Sequence, residues 1–522
     1  MSSSGSLGPA ALQVLISHLT GVAEEMGAVL QRSAFSPNIK ERADCSAALF
    51  GPSGDLVVQA EHIPVHLGSM PASVAAVIDA FGDDPEPGAQ YVVNDPFAGG
   101  THLNDITLVA PCIVDGRLIG WAANRAHHAD VGGSAPGSIP ADAREIFEEG
   151  LRIPPVLLTD GVRDILFANS RTPLERAGDL DAQVGANVLG VRRLAETPDA
   201  PIGEVIAYGE RRMRAALAAL PDGTWTAEDV MDSTGSEPSQ QQPATIRVRV
   251  KVEGDGVSVD FDGTDPQSAG NVNAVEAVTV SAVTFALRSV VDPTIPANGG
   301  SLRPVSISTP AGSIVAARPP AAVGAGNVEV SQRVADVVLA ALSRIDPERV
   351  AAGNQGTMNN LLMGGQGWVY YETVGGGQGG RGGARPRPGQ SGIQTGMTNT
   401  KNTPIEALER HYPLRVLRYR LRRGSGGDGM APGGEGIERD LQVLEEVTVS
   451  LITERRVSRP RGLVGGRDGA IGENWLLPGG DEARAERLPD KCTIRLEPGD
   501  VLRMLTPGGG GWGTRPESGS ST

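Results

Sequence analysis

Residues 101–130 read THLNDITLVAPCIVDGRLIGWAANRAHHAD and hold three of the chain's seven histidines. Two polar clusters, His102-Leu-Asn-Asp105 and His127-His128-Ala-Asp130, bracket apolar runs that are split only at Asp115-Gly116. Asp-Gly is a preferred two-residue hairpin turn, because both central positions need positive φ. The stretch therefore predicts a β-hairpin whose open end carries both clusters. If Val114 pairs with Arg117, opposite residues sum to 231, so Asn104 faces His127 and Asp105 faces Ala126. His102 and His127 then become diagonal neighbours, about 7–8 Å apart at the backbone. Asp105 points to the other face unless a bulge intervenes or the strand begins after it. A His/Asp/His set suits zinc, manganese or iron(II). The spacing alone leaves open a hydrogen-bonding role for these side chains at the hairpin base.

Other polar residues could join them. Glu41 and Asp44 open an apolar strand in KERADCSAALF, and Glu61, His62 and His66 stand in AEHIPVHLG, where packing or turn roles compete with ligation. His128 and Asp130 are candidates for orienting the ligands or for proton transfer. Glu148 and Glu149, in FEEG, read as helix-surface charges.

The 522 residues suffice for several domains, and 46 basic against 62 acidic side chains leave a net charge of −16. That balance, with aromatics at only 4%, argues against nucleic acid as a partner. Cys45, Cys112 and Cys492 form no CxxC pair, which fits a reducing cytoplasm better than a disulfide framework. The N-terminal stretch has no basic region ahead of its apolar residues, so no signal peptide is expected, and no run is long enough to span a membrane.

Apolar periodicity predicts helices over 10–34, 69–81, 174–197, 201–219, 275–290 and 328–344, with a second hairpin over 245–261. The Gly- and Arg-rich stretch 374–392 reads as a mobile surface loop, and short strands with Gly-rich turns fill the chain after about 410. These elements give an α+β fold, a multi-lobed mixed α/β body with antiparallel hairpins. An N-terminal region 1–225 carries the metal-site residues, followed by a central α/β region 226–400, a β-rich region 401–515 and a disordered tail 516–522. GGGQGG (375–380) and GSGGDG (424–429) match G-x-G-x-x-G, but neither leads from a strand into an amphipathic helix, so no dinucleotide site is inferred. Neither a P-loop nor a G-x-S-x-G elbow occurs.

Longer motifs are more specific. NDPFAGGTHLNDITLV (94–109), RAHHADVGGSAPGS (125–138), EEGLRIPP (148–155), DFDGTDPQSAGNVNA (260–274), IPANGGSLRPV (295–305), MTNTKNTPIEALERHYPLRVLRYRLRRGSGGDG (397–429) and PGGGGWG (507–513) together resemble the hydantoinase B/oxoprolinase family over roughly residues 10–515. The resemblance implies a β-type subunit that works with an actin-like, ATP-binding α-type subunit in an (αβ)2 hetero-oligomer, opening a small cyclic amide (a hydantoin, lactam or 5-oxoproline). ATP with magnesium would lie on the partner, which would phosphorylate the amide oxygen. This chain would hold one divalent ion (zinc, alternatively manganese or iron) through Asp44, His102, Asp105 and His127, with Glu41 as the substitute acid. The ion would prepare a water to attack the activated carbon, and His128 and Asp130 would move protons. Ketone carboxylases that use ATP without biotin resemble the chain too, but their large subunits tend to be longer. A non-catalytic assembly subunit is a third reading, against which the intact His/Asp/His set argues.

Overall fold

A computed structural model describes residues 7–515 except 61, 62, 67 and 83, so Glu61, His62 and the tail 516–522 lie outside the described residues. The chain is α+β: helices pack on sheets that are antiparallel except for one parallel pair, Val305–Ser308 beside Gly256–Asp260. The first sheet runs in the order β2 (Leu56–Ala60), β1 (Cys45–Phe50), β5 (Arg117–His127), β4 (Asp105–Val114), β3 (Tyr91–Val93) and β6 (Val156–Leu157). Helices cover both of its faces. Pro9–Ser33 and Pro173–Ala195 lie on one side, packing Leu19, Met26, Leu30 and Ala186 on Ala47, Leu49, Ala122 and Ala126. Met70–Phe81 lies on the other, packing Val74 and Val77 on Ala48, Phe50, Val109 and Trp121. A sheet buried on both faces needs apolar side chains at successive positions, which is why ITLVAPC does not alternate with polar residues.

Helix bounds follow the sequence signals. Pro9 and Pro173 sit in first turns, where their missing N–H costs nothing. The expected helices appear as Pro9–Ser33, Met70–Phe81, Pro173–Ala195, Ile202–Leu217, Glu276–Val291 and Ser331–Leu342. The last is preceded by a π-helical turn, Gly326–Val330. The hairpin expected over 245–261 forms from Ala244–Glu253 and Gly256–Asp260, inside a four-stranded sheet with Gly223–Met231 and Val305–Ser308. Helices 276–291 and 331–342 pack in the same large core as this sheet. Among the described residues, no helix is long and apolar enough to cross a membrane, and all three cysteines are free and buried.

The turn at Asp115 (φ 51°) and Gly116 (φ 73°) is as the dipeptide demands, and Val114 pairs with Arg117. The register then changes. Ile113 pairs with Leu118 but Cys112 pairs with Gly120, so Ile119 is an extra residue and every later pair is offset by one. Asp105 therefore faces His127, and Ile106 faces Ala126. The regular register, with Asn104 opposite His127, does not form.

The first half of the Gly-rich stretch is not a surface loop, whereas residues 381, 384–388 and 390 in its second half are exposed as expected. Val374, Gly375, Gly376, Gly377, Gly379 and Gly380 are buried. Segments around 353–355, 375–380, 427–434, 462–469 and 508–513 run side by side and bond mainly backbone to backbone. Gly377 N–H donates to Pro507 O at 3.0 Å, Gly434 N–H to Gln378 O at 2.8 Å, Gly509 N–H to Gly434 O at 2.9 Å and Gly380 N–H to Gly510 O at 2.8 Å. A Cβ on Gly377 would collide with Gly434 O and Gly509 N. Low apolar content here reflects backbones packed too closely for side chains. Gly426, Gly427, Gly433 and Gly434 belong to the same stack.

Candidate metal centre

The H-x-x-D spacing closes a turn: Asp105 N–H donates to His102 O at 3.1 Å, folding the His102 ring over the Asp105 side chain at the start of β4. The bulge brings His127 directly opposite on β5. Three ligand atoms meet. His102 Nε2 lies 3.1 Å from His127 Nδ1 and 3.1 Å from Asp105 Oδ1, and His127 Nδ1 lies 3.2 Å from the same oxygen. All three side chains are buried. Donors about 2.1 Å from one ion sit roughly 3.0–3.4 Å apart, so this triangle fits a single divalent ion. Two ring nitrogens this close can share one proton at most, so the donor set suits a cation better than two imidazolium groups.

The surroundings hold the triangle in place. Thr101 Oγ1 donates to Asp105 Oδ2 at 2.6 Å, and His66 Nε2 and Asn327 Nδ2 each lie 3.5 Å from that oxygen. Asp105 is thereby fixed through Oδ2 while Oδ1 faces the histidines. Burial alone would push the Asp105 carboxyl up, but His102, His127 and His66 outweigh it and hold the group well below the usual carboxylate range. Burial pushes His127 down to about 3, so its ring is neutral, as ligation requires. The Tyr371 ring stacks on His127 with centroids 4.7 Å apart, and the Arg42 guanidinium lies 4.9 Å from that ring's centroid. Backbone bonds pin the histidine pair: His127 N–H donates to Asp44 O, His128 N–H to Asn104 O, and Asn38 Nδ2 to His127 O.

Asp44 follows Ala43, whose left-handed φ of 56° turns the chain into β1. Its carboxyl is buried and pushed up to about 7, first by burial and then, against the pull of Arg42, by Asp105. Asp44 is therefore next to the triangle in its electrostatics, though outside the set of three. Glu41 is half-buried and makes no hydrogen bond or ion pair with His102, Asp105 or His127 among the described residues.

His128 and Asp130 are not brought to the triangle. Alternation sends His128 towards helix 173–195, where its Nε2 lies 2.8 Å from Gln183 Oε1, and burial pushes its pKa down. Asp130 pairs with Arg171 at 2.9 Å and accepts from the N–H groups of Gly132, Gly137 and Arg171, fastening the loop after β5. Glu149 is not a surface charge. It is buried, accepts from Val323 N and Gly324 N, and burial raises it to about 8. No local signal in the sequence points to Thr101, Asn327 or Tyr371, and the last two come from segments more than 200 residues away.

A profile of the hydantoinase B/oxoprolinase family matches residues 8–515. The chain belongs to that family. Its hydantoinase B/oxoprolinase relatives include an uncharacterized protein of Methanocaldococcus jannaschii, 40% identical over 96% of this chain and 90% of that one. They also include 5-oxoprolinase 1 of Arabidopsis thaliana, 39% identical over 96% of this chain but only 42% of the plant protein. This member thus spans about two fifths of the length of the plant 5-oxoprolinase. The solved structure of an ATP-dependent caprolactamase from Pseudomonas jessenii superposes with a TM-score of 0.89 at 27% identity, covering 98% of this chain and 92% of the other.

The two adjacent histidines of this hydantoinase B/oxoprolinase chain are expected to separate by substitution. His128→Ala should keep any ion that the purified chain carries and lose about 1–2 kcal/mol of stability, because Gln183 Oε1 loses its buried partner. Metal content by elemental analysis, beside urea unfolding, checks both. Loss of the ion in this variant would mean that His128 is a ligand.

Proposed function

We propose that this chain is the ion-holding, β-type component of an ATP-dependent hydrolase of small cyclic amides, acting with a separate actin-like ATPase subunit. The observation that carries the reading is the buried triangle of His102 Nε2, Asp105 Oδ1 and His127 Nδ1, with edges of 3.1–3.2 Å. The family membership and the likeness to a lactam hydrolase support the substrate class.

His102, Asp105, His127 and Asp44 would hold one divalent ion, zinc, manganese or iron(II) by donor type. An ion there supplies Lewis-acid activation of a water and neutralises growing negative charge. Thr101 fastens Asp105 Oδ2, and Tyr371 covers one face of the His127 ring and keeps water from it. A cation beside Asp44 would draw its carboxyl back to the ionised state. His66, whose Nδ1 lies 3.0 Å from Ser46 Oγ and whose Nε2 faces Asp105, replaces His128 and Asp130 as the nearest group able to hold a proton.

An amide carbonyl is a poor electrophile, and phosphorylation of its oxygen on the partner ends the nitrogen's donation into it. Water oxygen then bonds to the ring carbon. The nitrogen takes a proton and leaves as the amine, giving a ring-opened acyl phosphate. A second water releases carboxylate and phosphate. One ATP and two waters are consumed per ring, yielding ADP, phosphate and the amino acid, or the N-carbamoyl amino acid where the ring is a hydantoin.

Supplied with the ATPase subunit and ATP, the chain should open one of 5-oxoproline, hydantoin or caprolactam with matching ADP release, and alone it should do neither. Ring opening without ATP, or none of the three rings opened by the reconstituted pair, would overturn the reading.

A further inference from the structure

A cavity of about 510 Å³ lies outside the triangle, within the size range of small-ligand sites. Its wall includes Arg349, Arg381, Arg387, Asn354, Gln394 and Thr395. Among the described residues no carboxylate lines it, although the chain carries 16 more acidic than basic side chains. Arg349 is paired with Asp346 at 3.2 Å, whereas Arg381 and Arg387 have no ion pair among the described residues. The backbones of these two bond to each other in both directions at 2.9 Å, which sets their side chains close together. Thr395 is 6% exposed, and its hydroxyl has no partner among the described residues. Asn354 Oδ1 accepts from Gly379 N–H at 3.1 Å, which leaves its amide N–H groups available. The wall is thus a donor-rich, cation-lined surface with one buried hydroxyl unused.

Two paths tie this wall to the triangle. Pro64 lines the cavity, and His66, at the other end of the same short 3-10 turn, lies 3.5 Å from Asp105 Oδ2. Gln394 Nε2 donates to Thr373 Oγ1, which also accepts from Arg42, the guanidinium over Tyr371.

We infer that this cavity binds the phosphoryl group of a small organic phosphate, held by Arg381, Arg387 and Thr395, next to the shell of the triangle. Paired guanidinium groups recognise phosphate oxygens by charge and by fork geometry. The inference rests on the reading above, in which the ring arrives phosphorylated.

Phosphate binding to the full chain, stripped of metal by a chelator, tests it without the triangle contributing. Methyl phosphate and inorganic phosphate are titrated separately by calorimetry. Methyl phosphate should bind, and Arg381→Gln/Arg387→Gln should weaken it about tenfold or more, as should Thr395→Val to a smaller extent. Tighter binding of inorganic phosphate would assign the site to the released product rather than to the phosphorylated ring, and would overturn the organic ligand. Absence of binding, or equal affinity in the double variant, would overturn the site. If the double variant instead only loses the ATPase subunit on co-purification, the arginines serve a protein contact and the inference fails. Ring opening by the reconstituted pair is a separate readout, so a lost cavity and a lost function are told apart.

Discussion

The His102→Ala chain should purify without any ion that the parent chain carries and, with an ATPase subunit supplied, should open no ring. The substitution removes one corner of a triangle whose edges are 3.1–3.2 Å. Changes merely behind a metal ligand cost roughly 10–100-fold in affinity, so the loss of a ligand should exceed about 100-fold. The fold should survive, because the hairpin is held by its apolar side chains and the Asp115-Gly116 turn, while His102 meets it only at its open end, at Asp105 and His127. Stability gives an independent readout. An ion at about 1,000 times its Kd raises native stability by about 4 kcal/mol. Chelator should therefore lower the urea midpoint of the parent chain and leave that of His102→Ala unchanged. Full metal occupancy in the variant would refute the ligand assignment.

Gly377→Val should cost at least about 3 kcal/mol and sharply reduce soluble yield. Its new side chain would enter the space held by Gly434 O and Gly509 N, both of which are tied into the backbone ladder and cannot retreat without breaking bonds of 2.8–2.9 Å. Gly185 is the control. It lies in helix 173–195, where a methyl group would meet nothing within 4 Å, so Gly185→Ala should stabilise by about 0.5–1 kcal/mol. Urea unfolding of both variants checks the pair, and an unchanged midpoint in Gly377→Val would mean the segments can separate freely.

Periodicity and turn chemistry are local, so the helices at 9–33 and 173–195, the Asp-Gly turn and the 245–261 hairpin can be read directly from the residues. The His102/Asp105/His127 triad is legible in its members but not in its register: Gly120 within the strand signals an irregularity, but IVDGRLIGWA does not mark Ile119 as the residue left unpaired. His128 and Asp130 resemble ligands in sequence, yet strand alternation turns one towards Gln183 and Arg171 occupies the other. Glu149 reads as a surface charge because its partners, the amides of Val323 and Gly324, lie far along the chain. The Gly-rich stretch misleads for a related reason. Its cohesion comes from backbone bonds between segments distant in sequence, which composition does not register.

The extra residue at Ile119 divides the hairpin into two zones with different tolerance for insertions and deletions. Between it and the tip, only pairs such as Val114 with Arg117 depend on spacing, and the bulge can absorb a change of one residue there. From Gly120 to His127 the count is locked. One residue gained or lost would trade His127 for a neighbour opposite Asp105 and reverse the direction of every side chain in between. The distal loop can therefore vary in length among related chains while the spacing on the Gly120–His127 side stays fixed.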